Sequence, residues 1–292
     1  MMAFVLSAGV AARANIYVSD HAGTISSYTD SGVTVNPSLA SGFFSVQSIA
    51  VSGTNLYAVN YSSTLQGTVG EYTTSGATVN SALISGTFNP WGIAISGSDM
   101  FVSNYNSGTI SEYTTSGAVV NAALITGLFE PQGIAISGSD LYVADGAFTN
   151  SWVGKYSITG ATVNTHLVSG LDGAYGLAVT GSDLLVAQRY SGTIGEYDTT
   201  TGATVNASLI SGLHDVIDVT VMGSDLLVAD PDDATGTGVI GEYTMAGSVV
   251  NASFITGLIA PVSIVVADVP EPASFCLLGL GVAGLLARRR RR

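Results

Sequence analysis

Positive charge is almost missing from this sequence. Only eight of its 292 residues are Lys or Arg, and five of those form the terminal run Arg288, Arg289, Arg290, Arg291 and Arg292. Residues 15–268 keep just Lys155 and Arg189 against 20 acidic side chains, a net charge of about −18. A body that acidic repels phosphate backbones and anionic headgroups, which excludes nucleic acid as a partner. Cysteine is scarcer still. The one thiol, Cys276, lies in the tail, so residues 15–268 have no disulfide and no thiolate metal site. Charged residues make up only 10% of the chain, leaving solubility to Ser, Thr, Asn, Gly and the acidic excess.

What is present is a repeat. The unit GIAISGSDLYVAD…GTIGEYTTSGATVNASLISGL recurs six times, marked by Tyr28, Tyr72, Tyr113, Tyr156, Tyr197 and Tyr243. Each unit holds four strand signals: a (GIAIS), b (LYVAD), c (TIGEYT) and d (ATVNASLI). SGSD-type turns join a to b, and TSG or TTG turns join c to d. Gly supplies the positive φ and Asp or Ser the cap that such hairpins use. Four antiparallel strands in roughly 40 residues predict one propeller blade. The expected fold is all-β, a six-bladed β-propeller of four-stranded antiparallel blades. Residues 15–20 read as a strand b and 262–267 as a strand a. Closure is therefore expected by pairing the C-terminal strand a with the N-terminal strands b, c and d.

The insertions fall in one place. The b–c loop varies in length between repeats, while the a–b and c–d turns hardly change. Strand alternation puts the a–b and c–d turns on one rim and the b–c and d–a links on the other. The variable rim is where ligand selection is expected.

The P-x-G-I-A approach to strand a (Pro131 to Ala135; Pro90-Trp91-Gly92-Ile93-Ala94) and the L-Y-V-A-D strand (Leu141 to Asp145) resemble NHL-type and sugar-lactone-lactonase-like propellers. The resemblance covers about 15–268. It implies the six-bladed fold and leaves function open, since such propellers bind proteins, sugars or RNA or catalyse hydrolysis or elimination. The resembled lactonases hold a divalent metal with carboxylate and amide groups near the channel. Here the comparable groups are spread around the ring.

Those groups end strand b: Asp20, Asn60, Asn104, Asp145, Gln188 and Asp230. They read first as turn caps and second as ligand contacts. His21, Tyr61, Trp91, Tyr105, Arg189, Tyr190, His214 and Asp215 complete a candidate binding rim, because exposed aromatics stack on sugar rings or partner side chains. In the loop DPDDATGTG, Asp230, Asp232 and Asp233 are hard oxygen ligands suited to Ca²⁺, though without EF-hand spacing. Otherwise that loop is a solvated acidic turn, and no cofactor is required. His214, Asp215 and Asp218 replace the usual approach to strand a in one repeat. A His–Asp pair is a candidate base, but no Ser or Cys stands at a recognisable spacing, so no catalytic residue is assigned. The repeated Glu71, Glu112, Glu196 and Glu242 read as a structural slot, filled by Lys155 in one blade.

The tail differs from the body. After Val269-Pro270-Glu271-Pro272 comes an uncharged apolar stretch, 273–287, and then the arginines. A helix of that length spans about 22 Å, short of the roughly 30 Å hydrocarbon core. It would cross only with bilayer thinning or arginine snorkelling, with Arg288 to Arg292 staying cytoplasmic. Pro270, Glu271 and Pro272, the apolar helix and the arginines, in that order, resemble a PEP-CTERM sorting signal. The resemblance implies bacterial export, temporary anchoring in the inner membrane and recognition by an exosortase. Residues 1–14 read as a short signal peptide. Three segments are expected: signal 1–14, propeller 15–268 and sorting signal 269–292. The functional expectation is an exported cell-surface or extracellular-matrix protein whose variable rim binds a glycan (such as an exopolysaccharide) or a surface protein. The alternative is a lactonase-like or lyase-like enzyme with a divalent metal in the channel.

Overall fold

The computed structural model describes residues 14–62, 66–146, 148–232 and 234–268, and their regular structure is entirely β. The chain opens with β1 (Ala14–Asp20), β2 (Thr24–Thr29) and β3 (Thr34–Ser41). Blade two is β4 (Ser45–Ser52), β5 (Asn55–Tyr61), β6 (Gln66–Thr73) and β7 (Thr78–Phe88). Blade three is β8 (Pro90–Ser96), β9 (Asp99–Asn104), β10 (Thr109–Thr114) and β11 (Val119–Thr126). Blade four is β12 (Ile134–Ser137), β13 (Asp140–Asp145), β14 (Thr149–Ser157) and β15 (Thr162–Asp172). Blade five is β16 (Ala174–Thr180), β17 (Asp183–Gln188), β18 (Thr193–Asp198) and β19 (Thr204–Ser211). Blade six is β20 (Asp218–Met222), β21 (Asp225–Asp232), β22 (Thr237–Thr244) and β23 (Val249–Leu258), and β24 (Pro261–Asp268) follows.

Each blade is one four-stranded antiparallel sheet, and the first has the order β24-β1-β2-β3. Asn15 pairs with Ala267 and Tyr17 with Val265, so the ring closes as the repeat predicts. Strands a form the inner wall, each packed against its neighbours, and strands d form the outer edge. The expected signal segment and C-terminal apolar helix lie outside the described residues, apart from Ala14, which opens β1. Among the described residues no helix is long and apolar enough to cross a membrane.

The core is distributed between blades. One cluster joins Tyr142 and Ala144 of blade four to Leu184, Val186 and Tyr197 of blade five; another joins Ile16 and Tyr28 to Leu227 and Ile240 across the seam. The repeated strand-c tyrosine is thus a plug between a blade and the one before it. A single blade would leave these apolar faces wet, so the ring is the smallest unit that buries them.

The constant rim is constant for a steric reason. Gly76 and Gly202 turn from strand c to strand d at φ of 94° and 69°. Any Cβ there would run into the carbonyl oxygens of Leu39 and Leu167 in the preceding blades. Tyr17, Tyr57 and Tyr142 add hydrogen bonds to the carbonyls of Thr74, Thr115 and Thr199 in the following blades. The glutamate slot lies on this rim too. Glu71 accepts from Asn55 at 2.7 Å, and in blade four Lys155 instead pairs with Asp140 at 2.8 Å.

Candidate binding rim and channel mouth

The six residues ending strand b mostly hold the rim together. Asn60 Oδ1 accepts the N–H groups of Phe44 and Ser45, and Asp145 Oδ1 accepts those of Phe129 and Glu130 at 2.9 and 3.0 Å. Gln188 Oε1 accepts from Asp172, and Asp230 Oδ1 accepts from His214 and Asp215. In each case the cap fastens the d–a link that leads into its own blade. Asp20 caps its own b–c turn, through the Thr24 N–H, and Asp145 also takes a backbone hydrogen bond from Gly146 of its b–c loop. Asn104 instead donates to Ser111 and Thr109. Burial pushes the carboxyls of Asp20 and Asp145 upward, against the N–H bonds that pull them down.

The acidic loop behaves similarly. Asp232 Oδ1 accepts from Ala234 and Thr235, and the Thr235 hydrogen bonds hold its carboxyl below the ordinary value. Asp230 faces the d–a link, where its Oδ2 lies 3.3 Å from His214 Nδ1 and, by hydrogen bond and charge, raises the imidazole's pKa. Asp233 lies outside the described residues. Among the described residues, no group of three or more His, Cys, Asp and Glu is placed to hold a metal ion.

At the centre of this rim is the channel mouth. The residues before Ile49, Ile93, Ile134, Leu177, Val219 and Ile264 form a ring: Ser48, Gly92, Gly133, Gly176, Asp218 and Ser263. Five of these are Gly or Ser, and Asp218 is the single carboxylate. Above them stand Gln47, Trp91, Tyr175, Arg189 and His21. The mouth encloses about 80 Å³, and the channel beyond it about 270 Å³. The mouth by itself falls well below the roughly 300–1,000 Å³ usual for small-molecule sites, and it opens into the channel past Ser48, Asp218 and Ser263.

Asp218 is enclosed by the ring and turns its remaining surface to the channel. Its Oδ2 accepts the Ile264 N–H at 2.8 Å and its Oδ1 that of Val219 at 3.0 Å. Burial nevertheless pushes its pKa up to about 7, with these N–H groups and the Ser263 hydroxyl pulling the other way.

Beside the mouth runs a line of five aromatic rings drawn from blades three, four and five. Tyr105 lies 5.3 Å from Trp91, Trp91 lies 6.3 Å from Tyr175, Tyr175 lies 6.5 Å from Tyr190, and Tyr190 lies 6.2 Å from Phe148. The Arg189 guanidinium sits 5.3 Å from the Tyr175 ring centroid and donates to the Tyr175 hydroxyl at 3.3 Å, with Asp215 at 3.9 Å. Tyr105 hydrogen-bonds to Glu130, and burial raises its phenol well above the usual range. Burial and a hydrogen bond with Tyr175 push Tyr190 up to about 12. These phenols therefore stay neutral and keep their protons for donation.

Of the rim residues read from the sequence, the fold brings His21, Trp91, Tyr105, Arg189, Tyr190 and Asp215 to the mouth. Tyr61 is elsewhere, edge-on to Phe44 at 6.0 Å. Tyr175, Phe148 and Gln47 were not on that reading. Tyr175 carries a recoverable signal, because Ala174-Tyr175-Gly176 aligns with Pro90-Trp91-Gly92 in the repeat. Phe148 has none, since it belongs to an insertion without counterpart.

Residues 268–292 match the PEP-CTERM protein-sorting motif. This motif marks export and exosortase-type, membrane-anchored processing. No curated protein matches the chain in sequence. Among solved structures, a chain from a nidogen–laminin complex is similar, with TM-score 0.72 and 16% identity over 87% of this chain and 98% of that one. A protein of unknown function from Bacteroides caccae reaches TM-score 0.67 at 15% identity, covering 88% and 99%. A Thermus thermophilus protein named as an oxidoreductase (glucose dehydrogenase) reaches 0.56 at 14%, covering 74% and 87%. At these identities the likeness is one of fold.

Proposed function

We propose that this exported propeller is a non-enzymatic binding protein of the cell surface or extracellular matrix, and that its variable rim takes a carbohydrate. One observation carries the reading: five aromatic rings and Arg189 converge beside the channel mouth on the rim where the repeats differ. Aromatic faces suit the C–H faces of sugar rings, and neutral phenols with Arg189, Gln47 and the ring serines supply hydrogen bonds to hydroxyls. The mouth is too small to enclose a sugar, so the ligand lies across the rim, as a polymer chain would. Screening the full chain in detergent against a polysaccharide and glycan array tests the proposal. Selective binding lost on replacing Trp91 and Tyr190 supports it. Binding only to a protein partner, or turnover of a lactone or ester, overturns it.

A further inference from the structure

The direction in which this rim faces follows from where the chain leaves the ring. Strand β24 starts at the variable rim, with Pro261 opposite Asp20, and runs inward along the wall of the channel. It ends at Asp268, opposite Ala14, on the constant rim of a–b and c–d turns. The sorting motif therefore departs from the face opposite the aromatic line.

Only four residues, Val269 to Pro272, separate Asp268 from the apolar stretch that begins at Ala273. Fully extended, that connection reaches about 17 Å. To bring the aromatic rim to a bilayer, the chain would have to cross the constant rim from its centre outward and then climb the side of the blade. Four strands at about 4.8 Å spacing and eight residues of strand at about 3.3 Å make that path roughly 40 Å. The connection is less than half as long as needed.

Charge does not set this orientation. The constant rim carries Asp99 with Glu112, Asp183 with Glu196 and Asp225 with Glu242, and burial and then the neighbouring aspartate raise each glutamate's pKa. Such a rim gains nothing from an anionic leaflet, so the orientation rests on the length of the connection.

We infer that, while the apolar tail holds this protein in a membrane, the propeller stands on its constant rim and presents the aromatic channel mouth outward, to a polymer or surface beyond the protein's own bilayer. The inference rests on the reading above only in calling that rim a binding face; the orientation itself needs no ligand.

The test uses the full chain with Cys276→Ser, reconstituted into vesicles carrying a headgroup-labelled acceptor lipid. A donor dye is placed at Ser182→Cys on an a–b turn or at Ser107→Cys on a b–c turn. Transfer from position 182 is expected to be severalfold that from 107. A long Gly/Ser insertion after Asp268 should abolish the difference. Equal transfer, stronger transfer from 107, or failure of the chain to join the vesicles overturns the inference. So does a difference that survives the long linker. None of these outcomes depends on whether the rim binds sugar, so the two proposals fail separately.

Discussion

Asp218 Oδ2 accepts the backbone N–H of Ile264 at 2.8 Å, tying strand β20 to strand β24 beside the point where the ring closes. Ser263, the neighbour of Ile264, in turn accepts from the Ile49 N–H at 3.4 Å, which carries the connection into blade two. A carboxyl group in the channel wall thus takes part in holding three blades in place.

That placement makes stability depend on pH. The Asp218 pKa is about 7 in the folded chain, raised from 3.8 by burial. Between those values the folded state keeps a proton that the unfolded state has lost, so the stability of the fold declines as pH rises. The contribution is fully present below pH 3.8 and is lost as pH passes through about 7. Glu112, Glu196 and Glu242 are raised too and act in the same sense. Arg189 and His21 share the Asp218 cavity. Melting temperature should therefore fall from pH 5 to pH 8, and Asp218→Asn should make the decline shallower. Equal slopes for the two proteins would show that Asp218 is not the titrating group.

The caps predict a loss of stability. Asp145 is 1% exposed and satisfies the N–H groups of both Phe129 and Glu130. Asp145→Ala leaves two donors without their acceptor, at about 1–3 kcal/mol. For a chain of this size that is a fall in melting temperature of roughly 3–10 °C. The far-UV spectrum should be unchanged, and Asp145→Asn should recover part of the loss.

Much of this architecture is legible in the sequence because six copies report on it independently. Tyr28 to Tyr243 mark the plugs, the turn glycines mark the constant rim, and residues 15–20 and 262–267 reveal the closure. The site is less legible for the opposite reason. Trp91 and Tyr175 fill one repeat position that is aromatic in only these two blades, and their proximity to each other and to Tyr190 arises only when the blades curve into a ring. Asp218 appears in sequence as one of a His–Asp group, but the fold separates its role from that of His214. His214 faces the Asp230 cap, whereas Asp218 faces the channel. The strand-b polar residues show how one signal serves two readings, since their chemistry suits a cap or a ligand and only the position of the d–a backbone distinguishes them.

The glycine interlock separates two costs. Gly53 and Gly202 have φ of 58° and 69°, but a Cβ at Gly53 meets nothing within 4 Å, whereas at Gly202 it meets the Leu167 carbonyl. Gly53→Ala should cost only the left-handed backbone penalty, about 1–2 kcal/mol. Gly202→Ala adds an overpacking cost of about 1–3 kcal/mol and opens the joint between blades four and five. Paired urea melts should rank the two variants in that order. A similar loss for both would mean that the blades slide to accommodate the methyl group.

Ring closure and the tail make opposite predictions for truncation. Deleting 269–292 removes none of the described strands, so the melting temperature should stay as it is. Deleting 261–292 removes β24, exposing the edge of β1 and the faces of Ile16 and Val18 that pack against Ile264. The first blade would then lose one of its four strands, and the ring its clasp. The shorter chain should aggregate or melt without cooperativity. A cooperative melt after the longer deletion would mean that the other 23 described strands close by other contacts.

The ligand prediction is the most selective. Tyr190 is 45% exposed and Trp91 is half-buried, so replacing either by Ala removes ring area from the rim with little loss of core. Each substitution should weaken carbohydrate binding by about 10-fold, the equivalent of about 1.4 kcal/mol, while shifting the melting temperature little. Tyr175 is different: it is 8% exposed, supports Arg189 through its ring and hydroxyl, and touches both Trp91 and Tyr190. Tyr175→Ala should lower stability and affinity together, and Tyr175→Phe should keep the stacking while freeing Arg189 of one acceptor. Calorimetric titration of these variants beside phenylalanine and leucine replacements at 91 and 190 distinguishes a stacking rim from a merely apolar one. On a stacking rim, Trp91→Phe and Tyr190→Phe retain most of the affinity that the alanine variants lose, and leucine at the same positions does not.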